Sequence, residues 1–258
     1  MDRAGGLGLF QIIQIIFFSV CYVSNGYIFY ALTYLELPPE YKCASNIKNG
    51  DCNAELFCHN QNNPALISIV YDSTRTLNNW FERLHLLCEP SWKIGLIGSM
   101  YLLGWALGCL IIPRLGDIYG RKIPVAVSVG FSLFVYLGLI LSQNIYLTMV
   151  LFLFIGFTCP GKSIIMYVYL LELVPTRKQT SVGTALLIAD GSTMIILSLY
   201  FRFISRNWLW FQIFALSLTS VSFCVTLLAP ESPKYLYSYK RYKEARKALA
   251  VIARYNRV

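Results

Sequence analysis

The chain has 258 residues, 56% hydrophobic and only 14% charged, where a soluble domain carries roughly 25% charged residues. With its positive mean hydropathy, that balance excludes an ordinary water-soluble globule and points to a membrane protein. The net charge of +9 is no footprint of nucleic-acid binding, because eight of the 22 Lys and Arg follow Pro233, where they read as cytosolic and inner-leaflet contacts.

A bilayer crossing takes about 20 apolar residues, and six runs are long enough. They are residues 4–35, 94–113, 123–142, 145–171, 181–201 and 208–229. The first is too long for a signal peptide and turns aromatic and polar after Tyr22, so it reads as a spanning helix. Its Asn25, with Tyr22, Tyr27 and Tyr30, makes a polar and aromatic stripe. The tyrosines also fit an interfacial belt; Asn25 does not.

Residues 36–93 form the one long loop. It carries seven acidic and five basic residues and four cysteines, Cys43, Cys52, Cys58 and Cys88. An even count in a polar loop predicts two disulfides in an oxidising compartment, with three pairings open. Cys21, Cys109, Cys159 and Cys224 lie in apolar runs and read as inert thiols. Arg121-Lys122, Arg177-Lys178 and the basic tail share the other side, so both termini are expected in the cytosol and the loop outside.

Between the second and third runs lies residues 113–122, Pro-Arg-Leu-Gly-Asp-Ile-Tyr-Gly-Arg-Lys, a short charged turn. Gly120 supplies a position free of a side chain for a tight reversal. A plain polar turn with positive-inside anchors explains the same residues. After the sixth run, Pro230-Glu231-Ser232-Pro233 breaks the helix at the membrane surface. Residues 241–256 then resume a basic amphipathic helix with Ala245, Leu249 and Ile252 on one face. It suits either an anionic inner leaflet or the underside of the bundle.

Two charges interrupt the spans. Charge at mid-membrane costs about 2.5–3.5 kcal/mol even on the lenient insertion scale, so Lys162 and Asp190 are functional candidates. Each lies ten residues from a cytosolic turn, about 15 Å deep, and equal depth on consecutive helices predicts an ion pair facing a cavity. The alternative is two independent polar groups lining a wet cavity. Pro160-Gly161 is expected to kink the fourth helix beside them. His59 and His85 are both in the outer loop. No metal-ligand spacing, nucleotide loop or nucleophile–base arrangement appears, so neither an enzyme, a metal nor a cofactor is expected.

Six spans with an Asp-x-x-Gly-Arg-Lys turn after the second resemble the N-terminal half of a major facilitator superfamily transporter. Further stretches resemble its organic cation/anion transporter branch. They are Asn79-Trp80-Phe81 through Leu87-Cys88, Glu172-Leu173-Val174-Pro175-Thr176-Arg177-Lys178, Asn207-Trp208-Leu209-Trp210, Pro230-Glu231-Ser232-Pro233-Lys234-Tyr235-Leu236 and Arg241-Tyr242-Lys243-Glu244-Ala245. Each is weak alone, but their order covers essentially the whole chain. The resemblance implies a cytosolic latch of Asp117, Gly120, Arg121 and Lys122 with acidic partners Glu172 and Glu231. It also implies a substrate cavity that Tyr167 faces, joining Asn25, Lys162 and Asp190. Three positions depart from the pattern: Pro113 replaces a Gly, Ile118 an Arg, and Phe152 an Arg of the fourth helix. A weaker latch follows.

The expected fold is an all-α membrane protein of six transmembrane helices in two inverted three-helix repeats. Its parts are residues 1–35, the extracytoplasmic loop 36–93, helices two to six over 94–229, and a cytosolic segment with its amphipathic helix over 230–258. The expected function is transport of small organic ions, with a second six-helix half and membrane lipid as partners and no nucleic acid. A non-transporting accessory subunit of a larger membrane complex is the alternative.

Overall fold

The computed structural model describes residues 6–43, 54–59, 67–70, 76–77 and 79–256. The first span is broken into α1 (Leu9–Val23), α2 (Gly26–Phe29) and α3 (Leu32–Leu35). The long loop holds β1 (Tyr41–Cys43), α4 (Ala54–His59), β2 (Ile67–Ile69) and α5 (Trp80–Arg83). Long helices follow: α6 (Ser91–Tyr119), α7 (Lys122–Leu141), α8 (Ile145–Pro160) continued by α9 (Met166–Leu173), α10 (Thr176–Leu199) and α11 (Trp208–Leu228). Two shorter helices, α12 (Pro233–Ser238) and α13 (Tyr242–Tyr255), follow the last span. Six of these stretches are long and apolar enough to cross a membrane, and the chain is an all-α, multi-pass membrane protein.

Close backbone contact between α6 and α8 sets the bundle. A Cβ on Gly104 would stand 2.0 Å from the Leu153 carbonyl oxygen, one on Gly108 2.3 Å from that of Phe157, and one on Gly156 2.0 Å from that of Tyr101. Only glycine lets the two helices meet there, and without a hydrophobic force between helices in lipid such close packing is what holds them. Two buried clusters stack along the bundle. One, around Trp80, Phe152, Trp208 and Leu139, lies toward the loop; the other, around Phe18, Tyr169, Leu173 and Ile252, lies at the opposite end.

The loop is riveted into the first cluster. Trp80 packs edge-on against Phe152 and Trp208, with centroids 5.6 and 5.9 Å away. Asn79 donates to the Tyr34 and Leu37 carbonyls at 2.9 Å. Arg83 donates to the Ile140 carbonyl and places its guanidinium 5.2 Å over Trp208. Phe152 thus fills its place in the fourth span with aromatic packing. Cys58 and Cys88 form a disulfide across 30 residues; Cys43 is disulfide-bonded as well, and Cys52 lies outside the described residues. β1 and β2 pair antiparallel, Tyr41 opposite Ile69, in a ribbon too short for hydropathy alternation to announce.

One boundary differs from the sequence expectation, and two other expected features take a definite form. The second span does not end at Pro113: the proline lies inside α6, which runs on to Tyr119. One lost hydrogen bond does not stop a long helix whose last turn is held from outside, as described below. The predicted kink of the fourth span takes the form of a π-helical turn, Gly161–Ile165, directly after Pro160. Finally, α13 buries Ala245, Ala248 and Ile252, with Ile252 0% exposed. Its apolar face packs against the bundle's underside, leaving the basic face outward.

Candidate functional site

The break in the first span falls at Ser24–Asn25, and the freed chain there is tied locally, the Ser24 hydroxyl donating to the Cys21 carbonyl at 2.6 Å. A cavity of about 190 Å³ lies beside the break. Its walls include Tyr22, Asn25, Phe29 and Tyr30 from the first span, Tyr101 and Trp105 from α6, Ser163 from the π turn, and Asp190 from α10. Phe29 and Tyr101 stack at 4.4 Å. The Tyr101 hydroxyl donates to the Cys159 thiol sulfur at 3.4 Å. Asp190 is half-buried and accepts a hydrogen bond from the Tyr30 hydroxyl at 3.2 Å. A turn or two further along the same helices, the Tyr34 and Ser198 hydroxyls meet at 2.7 Å.

Asn25 and Asp190 therefore share the cavity, while Lys162 and Tyr167 do not line it. Lys162 is 3% exposed, and among the described residues it forms no ion pair with Asp190 or any other carboxylate. Its electrostatic neighbours are the thiols of Cys159 and Cys21. Equal counting distance from the helix ends does not bring Lys162 and Asp190 together, because the π turn sets which side of the helix each residue takes. Ser163 gets the cavity and Lys162 the interior. Tyr167 packs against Tyr22 at 6.5 Å, its hydroxyl under Gly183 of α10, where a Cβ would come within 2.6 Å.

At the other end of the bundle the α6–α7 reversal is a charged clasp. Gly120 has φ +98°, which no β-carbon-bearing residue takes easily, and a Cβ there would lie 2.4 Å from Glu231 Oε2. Glu231 sits in that space. Its carboxylate accepts from the backbone N–H groups of Arg121 at 2.9 Å and Lys122 at 3.2 Å, and from Ser232 at 2.9 Å. A carboxylate on the first N–H groups of a helix satisfies donors that have no partner within the helix and meets the positive end of its dipole. Glu231 thus caps α7 rather than pairing with a side chain. The Arg121 guanidinium bonds Asp117 at 2.6 Å and reaches Glu172 at 3.6 Å. The second contact is largely buried, Arg121 and Glu172 side chains being 18% and 12% exposed. The Lys122 side chain has no ion pair among the described residues.

Two further clasp residues were not anticipated. The Tyr235 and Tyr239 hydroxyls donate to the carbonyls of Ile118 and Asp117 at 2.8 and 2.7 Å. They satisfy the last turn of α6, which is why that helix persists beyond Pro113. Their spacing of four along α12 was the only available signal. In the cavity, Phe29, Tyr101, Trp105 and Ser163 were missed because aromatic residues in an apolar run look alike whichever way they face. Among the described residues no cluster of His, Cys, Asp and Glu has the makings of a metal site.

Comparison with known proteins matches residues 14–256 to the model of the "Sugar (and other) transporter" family. The chain is 25% identical over 202 residues to mouse "Solute carrier family 22 member 16", covering 77% of this chain and 30% of that one. It is 25% identical over 288 aligned positions to the Drosophila melanogaster "Organic cation transporter-like protein", covering 98% and 50%. Mouse "Solute carrier family 22 member 4" is 29% identical over 197 residues, covering 73% and 34%. The chain thus spans a third to a half of these relatives' length.

Proposed function

Because the chain belongs to the sugar (and other) transporter family, we propose that it acts as one six-helix half of a carrier that moves small organic cations by alternating access. The observation that carries this reading is Asp190. It is the one charged side chain among the described residues of the cavity wall, and five aromatic rings stand around it. A carboxylate neutralises a cation, and aromatic faces attract one, each by about 0.5–2 kcal/mol. Nothing on the wall offers a counter-charge to an anion. The printed name of the fly relative, an organic cation transporter-like protein, agrees.

The walls come from the first, second, fourth and fifth spans, so the remaining side is left to a second half, from the same or another chain. The clasp supplies the conformational device. Partly buried ion pairs such as Arg121–Glu172 form in one arrangement of the helix ends and break in another. In this reading both termini are cytosolic, by the positive-inside rule, and the disulfide-bearing loop faces the oxidising side.

Equilibrium binding of labelled tetraethylammonium to the purified chain in lipid nanodiscs tests the cation class. Asp190→Asn, with an unchanged gel-filtration profile, is expected to weaken binding at least about tenfold, since a charge-assisted contact is worth roughly 1.5–3 kcal/mol. Equal binding by the variant, or tighter binding of an organic anion of similar size, contradicts it.

A further inference from the structure

The cavity holds one group that the cation reading leaves without a task. Asn25 is 7% exposed and lines the cavity, yet both atoms of its amide, Oδ1 and Nδ2, lack a hydrogen-bond partner among the described residues. Burying an amide without partners is costly, and buried amides are almost always bonded. Two other buried amides among the described residues follow that rule. Asn79 donates twice to carbonyls, and Gln212 accepts from the Tyr136 hydroxyl while donating to the Tyr27 carbonyl at 3.3 Å. Gln11 and Gln14 each leave one atom unpaired, but neither lines the cavity, and Gln11 Oε1 accepts from the Gly8 N–H and from Asn256. Among the described residues, Asn25 alone combines two unpaired atoms with a place on the cavity wall.

Its setting is built for contact with something else. Asn25 stands at the break between α1 and α2, where the chain keeps right-handed helical dihedrals while the backbone hydrogen bonding loosens. Its neighbour Gly26 lets the wall pack closely, because a Cβ there would meet the Tyr30 ring at 2.9 Å and Thr193 Cγ2 at 3.3 Å. Asn25 lies 16 residues along from Leu9 and Asp190 14 along from Thr176, so both sit about 21–24 Å from their helix starts.

We infer that Asn25 is a hydrogen-bonding subsite that selects cations carrying a hydroxyl or carbonyl beside the charge. The inference rests on the cation reading above: Asp190 and the rings hold the positive centre, and the Asn25 amide, offering one acceptor and two donors, takes the neutral polar group. A site whose buried polar group is meant to be paired rejects an analogue that lacks the partner, because the amide is then left desolvated and unmet.

Choline and propyltrimethylammonium differ by a hydroxyl against a methyl group at nearly constant size and charge, and they are the probes. Competition of each against labelled choline on the purified full chain in nanodiscs is expected to favour choline by about five- to twentyfold. Asn25→Leu removes that preference while still binding propyltrimethylammonium, which also reports that the variant is folded. Asp190→Asn lowers both affinities and keeps the preference. No preference in the wild-type chain overturns the inference, whatever the variants do. An undiminished preference in Asn25→Leu also overturns it. Failure of the wild-type chain to bind either probe, or tetraethylammonium, is distinguishable from both, since it overturns the cation reading and the inference with it.

Discussion

At the residue scale, the consequential positions are those where backbone or charge has no alternative. Gly120 is one. Its φ of +98° and the 2.4 Å approach of Glu231 predict that Gly120→Ala destabilises the fold by about 1–3 kcal/mol, the cost of a conformation essentially reserved for glycine. Thermal unfolding in detergent checks it, and an unchanged midpoint would mean that the clasp adapts freely. Glu36, just past the first span, is another. Its Oε1 is buried without a partner, and burial pushes its carboxyl from 4.5 up to about 7. The folded chain then keeps a proton that the unfolded chain releases between those values. The contribution to stability is therefore full below about pH 4.5 and falls as pH rises to about 7. Glu36→Gln is expected to flatten that slope in melting temperatures taken from pH 5 to pH 8, and a slope unaltered by the substitution would assign it to other groups.

At the element scale, the α6–α8 crossing and the breaks in the helices set where everything else lies. Gly104→Val drives a side chain into the Leu153 carbonyl and is expected to cost at least about 3 kcal/mol or to abolish folding. Gly95→Ala, on the same helix with nothing within 4 Å, is expected to be neutral or to stabilise by up to about 1 kcal/mol. Folded yield and melting temperature separate the two, and similar losses would show that the crossing is not the constraint. The spans themselves were legible because a run of some 20 apolar residues has few other uses, and the Gly120 reversal because charge and glycine coincide there. Side-chain azimuth was not legible. The π turn after Pro160 turns Lys162 away from Asp190, and no count of residues per turn reveals where a helix adds one. The end of α6 was misplaced for a similar reason: the hydroxyls of Tyr235 and Tyr239 that sustain it come from 117 to 122 residues away.

At the scale of the whole molecule, the six spans form a unit fastened at both ends. Trp80, Asn79 and Arg83 fix the long loop to the bundle, and Glu231 and the two tyrosines fix α12 to the α6–α7 reversal. Asn256 adds a third tie, accepting from the Phe10 N–H at 3.0 Å and so joining α13 to the first span. A unit braced this way suits rigid-body rocking against a second half, with the cavity between Asn25 and Asp190 as the shared site. The central claim is that this cavity carries organic cations, and cellular uptake tests it most directly. Cells expressing the chain are given labelled choline, and uptake is compared with Asp190→Asn at matched surface abundance. The account predicts saturable uptake above that of non-expressing cells, reduced at least about tenfold in the variant. Saturable uptake that is indifferent to the charge at position 190 would contradict it.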